Sequence, residues 1–301
     1  MIQDRYVCAY YKLIGKSKKK KMLRFILRHL ANFHLKYALK LNRGCFCCSS
    51  KEGDVIISLT SFPARINNLW MVIETLLRQT VKPKIIYIWL SKDQFPDFSV
   101  IPESLKRMSG RGVEIRLVDN DIRSHKKYYY VFKEHPNDLI LLADDDIIYP
   151  SNLIESLIAA RQKSNADKVV SHKYGYRIKH NPDGSLMPYN SWGAFYSAYE
   201  GDDLFFGSGG GTLIRPADLL PDVLNIHLAL RLCPIADDIW LNAMAKMGGC
   251  HYVKVKDGPI LPVLCKNDKP LFMHNIRNNQ NDCQIQAISD FYKKEIYKNI
   301  F

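Results

Sequence analysis

The sequence has no uninterrupted apolar run long enough to span a membrane, and it has few cysteines for its 301 residues. Its longest near-apolar stretch, 22–41, is broken by seven polar or basic residues, whereas a membrane-spanning helix needs roughly 20 predominantly apolar ones. Eight cysteines are too few for a disulfide-stapled scaffold, and no signal-peptide pattern opens the chain. We therefore expect a protein of a reducing, cytoplasmic compartment that does not span a membrane.

Acidic residues are almost missing from the first 51 positions. That stretch holds one acid against 13 lysines and arginines, whereas residues 52–301 hold 29 acids and 30 basic residues. The net charge of +13 therefore belongs to an N-terminal appendage. A nucleic-acid enzyme more often spreads positive charge over its working face, so we expect no nucleic-acid partner. We predict a basic helical segment with a linker at 1–50 and a main domain at 51–301.

Residues 22–41 have the pattern of a basic amphipathic helix. Apolar residues recur at helical spacing from Leu23 to Leu41, and polar or basic residues recur every four positions on another face, after a lysine-rich run at 16–21. Residues 16–41 would then lie on an anionic membrane surface and make the protein peripheral on the inner face of the membrane. The pattern equally suits a helix that packs on its own domain, and both interpretations stay open here.

After a linker at 43–53, strands alternate with helices. This alternation predicts an α/β fold with a mostly parallel, Rossmann-like sheet and helices on both faces. The fourth predicted strand is apolar throughout, which indicates a central position. Strands are predicted at 55–59, 85–90, 113–118 and 139–143, and helices at 67–79, 126–134, 151–164, 236–247 and 284–298. Between 168 and 215 the pattern breaks into short strands and turns.

Three carboxylates, Asp144 to Asp146, follow the fourth predicted strand. Their mutual repulsion requires a compensating cation, and ligands of open α/β sheets bind beyond the carboxyl ends of the strands. In extended backbone Asp144 and Asp146 point the same way, so this pair predicts a site for a divalent cation such as Mg²⁺ or Mn²⁺. A solvated acidic turn before Pro150 is the alternative.

Three segments together resemble the GT-A-fold glycosyltransferases of bacterial polysaccharide and lipooligosaccharide synthesis, over roughly residues 54–285. Residues 54–66 resemble the first strand and nucleotide-binding loop of that family, 124–130 its basic helix, and 143–150 its D-x-D metal motif. The resemblance implies a nucleotide-sugar site, and we assign to it Thr60, Ser61, Pro63, Arg65, Lys126, Lys127, Asp144, Asp145, Gly210 and Gly211. For Arg65 an ordinary exposed position is an equal alternative, and for the glycines a flexible turn.

The resemblance also implies a metal set and a catalytic base. The metal ligands would be Asp144 and Asp146, with His274 as a candidate third ligand that would favour Mn²⁺, although a lone histidine is more often structural. The pair Asp237 and Asp238 stands where inverting members carry an acidic pair, and Asp238 would take the proton of the acceptor hydroxyl. Acids are also common at helix N-termini for electrostatic reasons alone.

The sequence thus favours a metal-dependent, inverting glycosyltransferase. Its donor would be a nucleotide sugar, with UDP the family's commonest nucleotide, and its acceptor a saccharide or a lipid-linked saccharide. A nucleotidyltransferase is one alternative, although the loop at 60–65 lacks the glycines expected of it. A non-catalytic polyanion-binding protein that works through its basic arm is another.

Overall fold

The computed structural model describes residues 1–41, 51–265, 280–293 and 300–301, which form two compact units. The described part of the first unit is 1–41, 51–121, 144–156 and 257–265, and that of the second is 122–143, 157–256, 280–293 and 300–301. Among the described helices, none is both long and apolar enough to cross a membrane. The predicted boundary at residue 50 adjoins the undescribed stretch 42–50 and stays a prediction.

The α-helices are α1 (Ile2–Tyr11), α2 (Lys18–Leu41), α3 (Ile66–Leu77), α4 (Glu103–Lys106), α5 (Lys126–Glu134), α6 (Leu153–Lys163), α7 (Tyr189–Trp192), α8 (Ile226–Leu232), α9 (Asp237–Met247) and α10 (Gln280–Lys293). The strands are β1 (Lys51–Glu52), β2 (Ile56–Thr60), β3 (Val81–Lys82), β4 (Ile85–Ser91), β5 (Val113–Val118), β6 (Ile140–Ala143), β7 (Val169–His172), β8 (Gly175–Arg177), β9 (Tyr199–Glu200), β10 (Leu204–Phe206), β11 (Gly210–Ile214) and β12 (His251–Lys254).

The first unit contains consecutive parallel strands in the order β5-β4-β2. Strand β2 pairs with β4 in the register Ile56 to Ile85, and β4 pairs with β5 in the register Ile86 to Val113. Helix α3 connects β2 to β4 and is buried nearly all round, as a helix covering a parallel sheet must be. Its buried acid, Glu74, is ion-paired with Arg111. This is a Rossmann-like α/β arrangement, and the predicted fold class is confirmed.

The first unit also includes the two N-terminal helices. Helix α1 was not predicted from the sequence. Its Asp4 accepts hydrogen bonds from the backbone amide and the hydroxyl of Ser151, at 2.7 and 2.8 Å. Helix α2 extends the predicted helix by one turn at its start and buries Ala31, Leu35, Ala38 and Leu39. Packing on its own unit, the second interpretation of this helix, is therefore observed.

The second unit has strands in the order β6-β11-β7-β12-β9. Strand β11 lies antiparallel to both β6 and β7, while β12 pairs with β7 in parallel. All five residues of β11 are buried, so Gly210 and Gly211 begin a central strand, and the alternative that they lie in a flexible turn is wrong. Strands β8 and β10 form a separate antiparallel pair.

Candidate functional site

The acidic triplet of the first unit is built around a buried carboxylate, that of Asp145. Its Oδ2 accepts a hydrogen bond from the Ser61 hydroxyl at 2.6 Å, and its Oδ1 accepts one from Arg65 Nη1 at 2.8 Å. Burial raises the pKa of Asp145, and the positive charge of Arg65 opposes that rise. Arg65, 80 positions before Asp145 in the sequence, thus neutralises the middle acid of the triplet, and Ser61 adds a hydrogen bond.

Arg65 is a shared cation for two acids. The same Nη1 atom lies 2.9 Å from Asp146 Oδ2, and the guanidinium lies over the ring of Phe62, 5.2 Å from its centroid. Arg65 is only 8% exposed, so the alternative of an ordinary exposed arginine is wrong. The residue directly precedes α3, and this position aims its side chain at the triplet.

Asp144 and Asp146, the predicted metal ligands, are both partly exposed, unlike Asp145 between them. The backbone around them is held in place, because the amide of Asp144 donates to the Tyr149 hydroxyl at 2.8 Å and the carbonyl of Asp146 accepts from the amide of Val263 at 2.7 Å. The alternation that the sequence predicted therefore separates two partly exposed acids from one buried acid.

The carboxylates of this triplet suit a divalent cation only if a substrate supplies further oxygen ligands. Within the described ranges, no group of three or more histidine, cysteine or acidic side chains is arranged to hold a metal ion. Magnesium sites, however, often use one or two carboxylates and complete the shell with water and substrate phosphates. Asp144 and Asp146 fit that kind of site. His274, the proposed third ligand, lies outside the described residues.

The remaining predicted residues of the first-strand loop have different surroundings. The hydroxyl of Thr60 donates to the carbonyl of Trp89 at 2.7 Å, which ties the end of β2 to β4. Ser61 is buried in its contact with Asp145, whereas Pro63 is exposed. Of these three, Pro63 has the side chain most accessible to a ligand.

In the second unit, Lys127 and Asp237 form a buried ion pair. Their Nζ and Oδ2 atoms are 3.2 Å apart, and the Ser208 hydroxyl lies 3.1 Å from the amine and 2.7 Å from the carboxylate. Burial alone would raise the pKa of Asp237, but Lys127 and Ser208 outweigh it and hold that pKa below its usual value. Ser208 was not predicted from the sequence, and Lys127, expected to contact a diphosphate, here neutralises an acid. Its neighbour Lys126 is also buried.

His125 lies close to this pair. Its Nε2 is 2.8 Å from the carbonyl of Cys233 and its Nδ1 is 3.0 Å from the hydroxyl of Tyr128. A neutral ring that donates from Nε2 and accepts at Nδ1 satisfies both contacts. Burial lowers the pKa of His125, although the charge of Asp237 opposes this shift. The positive charge beside Asp237 is therefore that of Lys127.

Asp238 follows Asp237 in the first turn of α9 but is partly exposed. The helix is fixed by Asn242, whose side-chain amide accepts from the amide of Phe206 at 3.1 Å and donates to its carbonyl at 2.8 Å. The family resemblance implies that Asp238 is the base. In the structure the two acids differ in burial, because Asp237 is a buried ion-pair partner and Asp238 is accessible.

Three tyrosines, which the sequence analysis missed, lie within electrostatic range of Asp238. Burial is the main reason that the pKa values of Tyr174, Tyr176 and Tyr189 are raised, and the charge of Asp238 adds to each rise. The hydroxyls of Tyr174 and Tyr176 are 2.7 Å apart. A Tyr-Gly-Tyr sequence at the start of β8 was the available signal. Aromatic faces with hydroxyl groups beside a carboxylate can bind a polar ring such as a sugar.

The glycines of 207–211 make room for one of these tyrosines. A Cβ atom at Gly207 or at Gly210 would overlap the side chain of Tyr174. Gly211 has a φ of +98°, a conformation that favours glycine. The hydroxyl of Thr212 donates to the carbonyl of Gly207 at 3.1 Å and closes the segment. Gly210 and Gly211 are therefore required by packing and backbone conformation beside Tyr174.

Comparison with known proteins yields structural neighbours at low sequence identity. No family model matches the chain, and no curated protein matches it in sequence. Among similar solved structures, a mannosyltransferase from Pyrobaculum calidifontis in complex with GDP-Man and Mn²⁺ is 12% identical, with 97% of this chain and 76% of that chain covered and a TM-score of 0.40.

Two nucleotide-using enzymes also have similar structures. A UDP-glucose pyrophosphorylase is 10% identical, with 82% of this chain and 100% of that chain covered and a TM-score of 0.41. A CMP:2-keto-3-deoxy-manno-octonic acid synthetase complexed with CTP is 13% identical, with coverages of 77% and 99% and a TM-score of 0.43. At these values the likenesses carry no argument about activity, which must come from the residues themselves.

Proposed function

We propose that the chain is a transferase that uses a nucleotide sugar, and specifically an inverting glycosyltransferase. The observation that carries the proposal is the division of the acidic pair at the start of α9. Asp237 is buried against Lys127, whereas Asp238 is partly exposed and its charge reaches three tyrosine hydroxyls. An accessible carboxylate beside aromatic hydroxyl groups suits a general base for a saccharide hydroxyl, an effect worth typically 10²–10⁴-fold in rate.

The donor site in this proposal uses the first unit. Asp144 and Asp146 would hold a divalent cation, Mn²⁺ or Mg²⁺, together with the phosphates of the donor. Bound there, the cation would supply electrostatic stabilisation of the departing diphosphate. Pro63 and Thr60 would contact the nucleotide, which we propose to be UDP. The acceptor would be a saccharide or a lipid-linked saccharide.

The donor is tested by thermal unfolding of the whole chain with nucleoside diphosphates and nucleotide sugars, each with and without Mn²⁺. A ligand at a hundred times its dissociation constant stabilises a protein by about 2.7 kcal/mol, which gives a measurable shift. We expect a Mn²⁺-dependent shift that is largest for the uridine compounds, and its removal by EDTA. A folded protein that no compound shifts would contradict the proposal.

The reaction class is tested by the product and by one pair of variants. A glycosyltransferase releases a nucleoside diphosphate, whereas a nucleotidyltransferase, the second enzyme hypothesis, releases pyrophosphate from a nucleoside triphosphate. Asp238→Asn should lower kcat/KM by about 10²–10⁴-fold while the donor-induced thermal shift persists. Asp167→Asn, a matched change at an exposed position, should leave both unchanged. Pyrophosphate release, or full activity of Asp238→Asn, would refute the assignment.

A further inference from the structure

Helix α2 has two opposed faces, of which one is packed and the other exposed. The packed face consists of Ala31, Leu35, Ala38 and Leu39, all buried in the first unit. At 100° per residue, the large side chains on the opposite side of the helix cluster roughly 180° from this face. They are exposed and predominantly apolar, namely Met22, Leu23, Phe25, Ile26, Leu30, Phe33, Tyr37 and Leu41.

The exposed face is large for a protein surface. Phe33 is 68% exposed and Leu41 85% exposed, and the helix of 24 residues is about 36 Å long. Scattered single apolar residues on a surface need no explanation, but a contiguous patch of this kind marks an interaction site. Elsewhere in the described ranges, exposed large apolar residues such as Phe98 and Val100 do not form a stripe of this length.

Hydrogen bonds fix which face points outward. The Asn32 amide donates to the carbonyl of Pro262 at 2.9 Å and accepts from the amide of Leu264 at 2.8 Å. Arg24 Nη1 donates to the carbonyl oxygens of Leu13 and Gly15, at 2.7 and 3.0 Å. Asn32 and Arg24, which the sequence placed on another face of the helix than its apolar residues, thus hold the helix on its unit. Rotating the apolar stripe inward would break all four bonds.

The charges around the stripe indicate the chemistry of its partner. Lys36 and Lys40 are exposed on the same side of the helix, and the exposed lysines of 16–21 surround its start. A second copy of this chain would bring a like-charged surface against it. An anionic lipid surface offers hydrocarbon to the apolar side chains and phosphate groups to the lysines.

We propose that the exposed face of α2 docks the chain on an anionic lipid bilayer, with the helix lying in the plane of the interface. Phe25, Leu30, Phe33 and Tyr37 would enter the boundary between headgroups and acyl chains, while Lys36 and Lys40 would contact lipid phosphates. The proposal does not depend on the proposed enzymatic activity.

One segment of the first unit, 261–264, contacts both α2 and the acidic triplet. The segment that binds Asn32 also donates from the amide of Val263 to the carbonyl of Asp146, at 2.7 Å. Residue 148 is bound to the same segment, because the amide of Ile148 donates to the carbonyl of Leu261 at 3.0 Å. The helix that touches the bilayer and the triplet are therefore held by one short stretch of chain.

The test is co-sedimentation of the full chain with vesicles of phosphatidylcholine alone and of phosphatidylcholine with 30% phosphatidylglycerol. We expect binding to the anionic vesicles that weakens as salt is raised. Phe33→Ser should lower partitioning about 10-fold, and Lys36→Gln with Lys40→Gln about 25-fold. Circular dichroism should show that both variants keep the fold, because the substituted side chains are exposed.

Matched controls separate this face from general stickiness and charge. Phe98→Ser removes an aromatic that is 50% exposed elsewhere in the first unit, and Lys163→Gln removes an exposed lysine from α6. Neither control should alter partitioning by more than about 2-fold, because a lysine that does not approach the lipid gains little from its negative surface potential. Absence of binding to anionic vesicles, or equal losses for Phe33→Ser and Phe98→Ser, would overturn the proposal. So would a dimer that Phe33→Ser dissociates without any effect on vesicle binding.

Discussion

Replacing Arg65 with methionine should destabilise the protein far more than removing an exposed arginine. Arg65 Nη1 is 2.8 Å from the carboxylate of Asp145, and both side chains are buried. Methionine keeps much of the volume beside Phe62 but leaves the carboxylate with the hydrogen bond from Ser61 and without this cation. Breaking a buried ion pair by removing one partner costs about 3–5 kcal/mol, so the free energy of unfolding at pH 7.5 should fall by that amount.

The pH dependence of this loss has a definite sign. Burial raises the pKa of Asp145 above the 3.8 of an unperturbed aspartate, and Arg65 limits that rise. A raised carboxyl pKa means that the folded state binds the proton more tightly, so stability is lost as pH rises from the unfolded value through the folded one. Without Arg65 the folded pKa rises further. The destabilisation of Arg65→Met should therefore be largest at neutral pH and shrink towards pH 4.

Urea unfolding followed by circular dichroism at pH 7.5 and pH 4.5 measures both effects. Arg107→Met, which removes the same charge from an exposed position of the first unit, should change stability by less than about 0.5 kcal/mol. Adding Asp145→Asn to Arg65→Met should restore about 2 kcal/mol or more at pH 7.5, because the uncompensated charge is then absent. The reasoning is refuted if Arg65→Met matches Arg107→Met, or if its cost is the same at both pH values.

Two further predictions concern the second unit. Gly210→Ala should lower the free energy of unfolding in urea by about 1–3 kcal/mol, since the added Cβ would overlap Tyr174. Gly110→Ala, with no heavy atom within 4 Å of the added Cβ, should stay within about 0.5 kcal/mol of the wild type. Equal losses for the two variants would contradict this packing argument. Burial and then the charge of Lys254 lower the pKa of His172 to about 3, so between pH 6.5 and 3 the unfolded state binds more protons and stability falls as pH falls. In His172→Gln the free energy of unfolding should fall less steeply with pH, by up to about 1.4 kcal/mol per pH unit. If the free energies of variant and wild type fall by the same amount between pH 6.5 and 5, the assignment is wrong.

The strands of the parallel layer could be predicted from local pattern. Strand β5 alternates apolar with charged residues and has the predicted bounds, 113–118, while β4, with six of its seven residues buried, covers the predicted 85–90 and extends it by one residue. Buried strands of parallel sheets are continuous apolar runs, which a single sequence displays plainly. Helix α1 lacks such a run, since its apolar residues are interrupted by polar and charged ones and only a few of its residues, Val7 among them, are buried.

The ion-pair partners could not be predicted, because they depend on tertiary proximity. Arg65 meets Asp145 across 80 positions, and Lys127 meets Asp237 across 110. Neither separation leaves a local pattern. All four were candidate site residues because the family resemblance implied it. The sequence could not show that each cation neutralises an acid of its own unit.

The two acidic motifs follow the same physical rule. In 144–146 the middle acid is buried against Arg65, and in 237–238 the first acid is buried against Lys127. A carboxylate withdrawn from water needs a cation or several hydrogen bonds, and each buried acid here has a cation and a serine hydroxyl. The cost of burial is met within each unit, and the neighbouring acids are left partly exposed.

This division gives acid-rich motifs two separable roles. Replacing a buried acid, Asp145 or Asp237, with asparagine should mainly change the free energy of unfolding. Neutral substitution of a partly exposed member, Asp238 above all, should act first on catalysis and leave stability nearly unchanged. A loss of activity in Asp238→Asn that is matched by an equal loss of stability would place that acid in the structural class, and the proposed base would have to be sought elsewhere.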